Sequence, residues 1–491
     1  MTKTIYHILL ATLATGSVSC NKFLDEKPYY ALTDDNAITS LSKARAAIGG
    51  VYATFQGDNW AGSTYIAQAS KSGFVKWVVS DYDMAYTQLS RTSAEPWTSF
   101  YKSLNAANFA VNGIDALSSS IISDDEKKML VAEGRCLRAW VHSNILWNYC
   151  HWWADDADEY GLLYRDEVIN LKNIQKARIS VGESYQKIFE DLDFAIANLP
   201  AFKSSRYVSK EFAQVLKAKL LLYRGGYRNN ATELNQSLAL VNDVLQNHAA
   251  AFTMEADLAE VYKQSWDSKE CLFARYLEND GTRTNKGGYY YTYYLSQIAG
   301  TTLPLAPNAT LTAGLNFGLD WFLQDPRWPV VTGPVRAGET WDNTYRHTFK
   351  KVARYGAIEG KTVNDEKYAA YYFRFPELYL MKAELIARTG GSVNDALAPL
   401  NEMRSKRTNP VLPPLSAATM DDFMNLLFRE IFTENFIENG SEFFASLRFN
   451  SQGKRWIEVI KDKTLEENKI CWPIPDAEAT NNKLMKQNPD M

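Results

Sequence analysis

The chain has 491 residues, 46% hydrophobic and 22% charged, with 53 lysines and arginines against 57 aspartates and glutamates for a net charge of −4. Those values suit a globular protein with a large core, and they exclude both the basic footprint of a nucleic-acid binder and the low hydrophobicity of a disordered chain. Aromatics reach 13%, with 28 Tyr and 13 Trp, residue types that offer an apolar face while keeping a polar edge wet.

The N-terminus reads as processing rather than fold. Lys3 precedes an apolar run from Ile5 to Val18, too short to span a bilayer, and then Ser19-Cys20. Residues 1–19 are therefore expected to be a lipoprotein signal peptide, with Cys20 the acylated first residue and a lipid anchor in place of a transmembrane helix. A polar tether follows, Asn21 to Pro28. The other cysteines, Cys136, Cys150, Cys271 and Cys471, have no zinc spacing and are expected to be buried thiols without a structural disulfide. No metal or cofactor is expected.

Downstream, Leu41 to Phe55 is a predicted helix with Ser40 as its cap. Residues 57–91 read as irregular and carry Asp81, Tyr82, Asp83 and Arg91. Helices are predicted over about Pro96–Leu117, Asp124–Tyr149, Gly182–Leu199 and Lys210–Arg224. In the last, Phe212, Val215, Leu216, Lys219 and Leu220 follow the i, i+3, i+4, i+7, i+8 pattern of a buried stripe, one member being a lysine stem. An internal echo then gives the architecture. Lys217-Ala218-Lys219-Leu220-Leu221-Leu222 leads to Gly225-Gly226 and a second helix through Leu245. Lys382-Ala383-Glu384-Leu385-Ile386-Ala387 leads to Gly390-Gly391 and a second helix through about Lys406. Glycine there suits a left-handed cap and a tight return, and two helices in about thirty-odd residues is the size of a tetratricopeptide unit.

Between these copies, Glu270 to Tyr276 has the composition of a short buried strand. The tract Asn279–Trp341 then departs from helical periodicity. It holds Tyr289, Tyr290 and Tyr291, then Trp321 and Trp341, among prolines that favour rigid turns. Ser416–Asn439 is predicted as a long helix stopped by Gly440, and Cys471-Trp472-Pro473-Ile474-Pro475 as an extended segment on the surface. The fold expected is mainly α, a tetratricopeptide-like helical-repeat scaffold with irregular aromatic-rich ligand-binding insertions and little β. Residues 20–491 form one domain: 20–260 helical, 261–345 the aromatic-rich insert, 346–491 helical.

Tyr289, Tyr290, Tyr291, Trp321 and Trp341 are the candidate stacking platform, and Asp81, Tyr82, Asp83 and Arg91, in the other irregular segment, are further ligand-binding candidates. Trp97 is expected in the core. Catalysis finds little support. His151 near Asp155 and Asp156 lies in a loop, Glu434 and Glu438 stand one helical turn apart as on a solvated face, and no phosphate loop, nucleophile elbow or zinc helix occurs.

Motifs in order along the chain carry a family resemblance. They begin with the Cys20 tether and Phe23-Leu24-Asp25, then Trp97, Tyr101 and Asn108. Ala132-Glu133 with Leu137-Arg138-Ala139 follows, and Ser184-Tyr185 through Leu199-Pro200. Further on stand Lys269-Glu270, Asp325-Pro326-Arg327, Arg374-Phe375-Pro376-Glu377, Arg429-Glu430, and Trp472-Pro473-Ile474-Pro475. Together they resemble a SusD/RagB-type outer-membrane lipoprotein of the Bacteroidota. The resemblance implies four tetratricopeptide-like helix pairs packed against an irregular ligand-binding part. It implies a non-catalytic, surface-exposed protein of the outer membrane that captures glycans for a TonB-dependent, SusC-like transporter and closes over it as a lid. Rival readings are a binder of peptides or another oligomer, a structural brace for the transporter, and a helical glycoside hydrolase.

Overall fold

The computed structural model describes residues 37–55, 58–60, 62–73, 83–277, 321, 324–334, 347–349 and 368–491. The N-terminal half is a succession of helices: Leu41–Thr54, Gly62–Lys71, Arg91–Asp115, Asp124–Tyr149, Val181–Asn198, Lys210–Arg228 and Ala231–Asn247. The C-terminal half adds Pro376–Arg388, Val393–Lys406, Met420–Asn435 and Ser441–Arg448. From Arg91 to Asn247 each helix packs on the next, and Pro376–Arg388 packs on Ala231–Asn247, which joins the halves into one helical-repeat scaffold. Side-chain caps set several starts. Ser40 Oγ accepts from the Lys43 N–H, and Ser123 Oγ from the Glu126 N–H beneath a first turn of Asp124, Asp125 and Glu126.

Asp124–Tyr149 is the central helix, buried on every side from Trp140 onward. Inside the protein Arg138 grips Asp191 through two contacts of 2.7 Å. His142 stacks on Tyr164 at 4.9 Å, and burial, aided by the Arg138 charge, pushes its imidazole down to about 3. Trp97 is buried against Tyr101 and Tyr149. The four cysteines are buried free thiols.

Several expectations need correction. Residues 57–91 are not wholly irregular, since Gly62–Lys71 is helical. Its buried face includes Thr64, Gln68 and Lys71, so it shows no apolar stripe to read. Gly225-Gly226 does not end its helix, which runs to Arg228 and is capped by left-handed Asn229. The pair serves close approach instead: a Cβ on Gly225 would lie 3.0 Å from Glu233 Cβ, and one on Gly226 3.2 Å from Arg448 Cδ. Gly390, by contrast, does take the left-handed conformation just past its helix, at φ 90°. Lys219 is no solvent-reaching stem, because its Nζ is buried 2.6 Å from Glu377 Oε1. The predicted helix at 416–439 spans Met420–Asn435, and Gly440 is the left-handed N-cap of the next one. Residues 471–475 are extended but buried, not on the surface. Trp472 donates to the Asn148 carbonyl, and Asn488 Nδ2 binds the carbonyls of Tyr149 and Trp472.

The strand Cys271–Leu277, which precedes the aromatic tract in sequence, pairs antiparallel with Tyr368–Arg374, which follows it. At the base of this pair lies a buried ionic junction. Arg374 uses all its N–H groups, on Glu270, Glu434, both Glu438 oxygens and the Glu434 carbonyl, at 2.7 to 2.9 Å. Arg407 binds Glu270 and Glu434, and Arg404 binds Glu430 at 2.7 Å. Arg327 pairs bidentately with Asp325 at 2.8 Å and reaches Glu430 and Glu434. Burial alone would lower the Arg374 guanidinium, but the Glu438 and Glu434 carboxylates hold it well above its ordinary value. Glu434 and Glu438 are therefore interior groups committed to arginines. Their one-turn spacing matches a solvated face, and their partners come from distant parts of the chain.

Candidate functional site

The candidate residues Asp81, Tyr82, Tyr289, Tyr290, Tyr291 and Trp341, like the anchor Cys20, lie outside the described residues. Asp83, Arg91 and Trp321 lie within them. Asp83 is exposed beside Lys461, Lys463 and Lys469, at a hollow of about 20 Å³, room for a water molecule. Arg91 is the first residue of the Arg91–Asp115 helix, exposed, and turned along it to Glu95 at 2.7 Å. Trp321 is half-buried. Its ring meets Phe432 edge-on at 5.6 Å and carries the Arg429 guanidinium at 5.7 Å. Trp321 is thus held against the Met420–Asn435 helix.

That helix explains the placement. Phe423, Leu427, Phe428, Ile431 and Phe432 form its buried stripe, while Asp422, Asn425, Leu426 and Arg429 face outward over a cleft of about 520 Å³. The far wall is the turn of a two-stranded hairpin, Ser451 and Gln452, and the floor includes Trp456. Gln452 and Gly453 sit in left-handed conformations, which make the tight turn. Trp456 lies flat on Phe428 at 4.4 Å with 9° between the rings, so its plane is fixed. A cleft of this volume is of ligand size. Apart from the paired Arg429-Glu430, sequence reasoning singles out none of these cleft residues, because a polar face on an amphipathic helix looks the same whether it is solvated or binds something.

The groups weighed for catalysis are engaged elsewhere. His151 Nδ1 lies 3.2 Å from Asp158 Oδ2, and burial lowers its pKa. Asp156 pairs with Arg224 and Asp155 with Arg228. Glu434 and Glu438 serve Arg374. Among the described residues no cluster of His, Cys, Asp or Glu could hold a metal ion.

With this geometry in view, the chain was compared with known proteins. Residues 22–216 match a SusD-like family described as "Starch-binding associating with outer membrane". SusD-like protein P2 of Formosa agariphila is 22% identical over 475 residues, 87% of each chain. A SusD superfamily structure from Bacteroides thetaiotaomicron superposes with TM-score 0.70 at 18% identity, over 92% of this chain and all of that one. A structure titled laminarin binding SusD-like protein does so with TM-score 0.68, again at 18% identity over 92% of this chain and 100% of that one. The chain thus resembles SusD-like proteins in sequence over residues 22–216 and shares the fold of SusD superfamily structures over 92% of its length. The mainly helical scaffold is the one that the resemblance implies, and the motifs that carry the resemblance take on a physical meaning. Lys269-Glu270, Asp325-Pro326-Arg327, Arg374-Phe375-Pro376-Glu377 and Arg429-Glu430 all contribute to, or adjoin, the buried ionic junction. Among the described residues no helix is long and apolar enough to cross a membrane.

Proposed function

We propose that the protein binds oligo- or polysaccharide at the outer-membrane surface, anchored through Cys20, and presents it to a TonB-dependent SusC-like transporter over which it closes as a lid, without catalysing a reaction. The observation that carries this reading is Trp321, a half-buried ring fixed by Phe432 and by Arg429, a residue that lines a ligand-sized cleft. Support also comes from the family description as starch-binding and from the laminarin-binding structural relative. An indole ring stacks on the apolar face of a sugar, and each such contact contributes about 1 kcal/mol beyond burial. Tyr289, Tyr290, Tyr291 and Trp341 are proposed to extend the platform, with Asp81, Tyr82, Asp83 and Arg91 reading hydroxyls. Affinity in the micromolar-to-millimolar range, about −8 to −4 kcal/mol, suits a protein that must release its ligand.

Calorimetry of the mature protein against a polysaccharide panel tests this. Saturable binding is expected, weakened about fivefold by Trp321→Ala, the loss of one stacking contact. Peptide binding with no glycan binding would overturn it, and release of reducing sugar would restore the hydrolase reading. Cys20→Ala is expected to leave the membrane fraction.

A further inference from the structure

We infer that the cleft between the Met420–Asn435 helix and the Ser451–Gln452 turn takes an acidic unit of the captured glycan, a uronate, with Arg429 as the group that binds its carboxylate. The inference rests on the glycan-binding reading and specifies the substrate class. Space comes first. The cleft holds about 520 Å³, against about 20 Å³ in the hollow at Asp83 and about 20 Å³ in the interior space beside Lys219.

Charge comes next. Arg327, Arg374, Arg404, Arg407 and Arg448 are all ion-paired inside the protein. Arg429 is exposed, and among the described residues no carboxylate pairs with it. Its guanidinium is already held over the Trp321 ring, so its orientation is set before a ligand arrives while its N–H edge stays open. A planar fork held this way matches a carboxylate bidentately.

Two orphaned polar atoms point to hydroxyl chemistry. Trp456 is 4% exposed, and its Nε1–H has no acceptor. Asn425 gives its Nδ2 to the Asp421 carbonyl at 3.0 Å, but its buried Oδ1 has no donor. Buried groups left without partners are unfavourable. Both atoms belong to residues that line the cleft and neither is open to solvent; a sugar hydroxyl, donor and acceptor at once, has the chemistry to match either one. Asp422 sets polarity along the cleft. One of its oxygens receives the Thr419 N–H and hydroxyl, and its charge sits seven residues from Arg429, about 10 Å along the helix. The carboxylate end of the ligand is directed to Arg429 and a hydroxyl end to Asp422.

The test titrates the whole mature protein with oligogalacturonate, a neutral gluco-oligosaccharide and an oligoglutamate peptide at low and high salt. Oligogalacturonate is expected to bind most tightly, with affinity falling as salt rises. Arg429→Gln should weaken it about tenfold and abolish the salt dependence, since a charged hydrogen-bonded pair is lost. Trp456→Phe keeps the ring stack on Phe428, removes only the N–H, and should weaken binding about fivefold at an unchanged melting temperature. Binding of neutral sugar only, or uronate binding indifferent to Arg429→Gln, overturns the inference and leaves the glycan reading standing. Equal or tighter binding of oligoglutamate gives the cleft to a peptide and also overturns it. No glycan binding of any kind overturns both.

Discussion

The Met420–Asn435 helix carries polar residues on two faces, and they meet opposite conditions. On the inner face Glu430 and Glu434 receive Arg327, Arg374, Arg404 and Arg407 in near-complete hydrogen-bonding sets. On the outer face Asn425 keeps an unmet acceptor and Arg429 makes no ion pair among the described residues. Both faces contain charge one or two turns apart, so composition does not separate them. Satisfaction does. A buried ionic group completely matched by protein partners holds the fold, because removing one partner strands the others in a low-dielectric interior. A polar group the protein leaves unmatched, on a residue that lines a cleft, is one whose partner a ligand can supply.

The strongest way to break this contrast is Arg374→Met. It would leave Glu270, Glu434 and Glu438 facing one another without their shared cation, and removing one member of a buried pair typically costs ~3–5 kcal/mol. Against a total stability of about 5–15 kcal/mol, that shift is large in urea unfolding followed by circular dichroism. Arg374→Lys should recover little, because three donors on a point charge do not replace a fork spanning three carboxylates. A loss under ~1 kcal/mol would mean the junction does not hold the strand pair to the helices.

A smaller effect is expected at His142, whose ring nitrogens are both buried without partners. Its native pKa is depressed from an ordinary value near 6.5 to about 3. The sign follows from linkage: the neutral ring's contribution is complete above pH 6.5 and is lost as pH falls toward 3, because the unfolded chain binds the proton first. About 2 kcal/mol should disappear between pH 7.5 and 5. His142→Phe should flatten that part of the melting profile, with His151, which burial also lowers, contributing to the slope that remains. An unaltered slope in the variant would show that His142 is not held neutral by its surroundings.

How much of this was legible in the residues depends on how far apart the partners lie. Asp124–Tyr149 is readable to its ends, because Ser123, three acidic residues and an unbroken run of buried positions are all local. The strand at Cys271–Leu277 is likewise local in its composition. Glu434 and Glu438 are misread from sequence as surface groups, because Arg374, which draws them inward, is supplied by a strand; Lys219 is legible as a member of the buried stripe, but its partner Glu377 is not, because another helix supplies it. Gly225-Gly226 is misread for the same reason: the crowding that requires small residues comes from Glu233 and Arg448. In the candidate site the identity of Trp321 was visible, but its seat on Phe432 and Arg429 was not, and neither was the cleft, whose walls join residues 416–429 to 451–456.

Arg91 gives the smallest expected effect and separates the two roles most cleanly. Its contact with Glu95 is an i, i+4 pair with side chains 87% and 52% exposed. Such pairs contribute little, since water screens the charges and both long side chains must be ordered to meet. Arg91→Ala should therefore change stability by no more than about 0.5 kcal/mol in urea unfolding. Glycan titration of the same variant reads its other role, since a proposed hydroxyl-reading residue should cost affinity while the melting curve stays in place. A variant that loses stability instead would place Arg91 with the inner face of the comparison, as a residue whose partners are the protein's own.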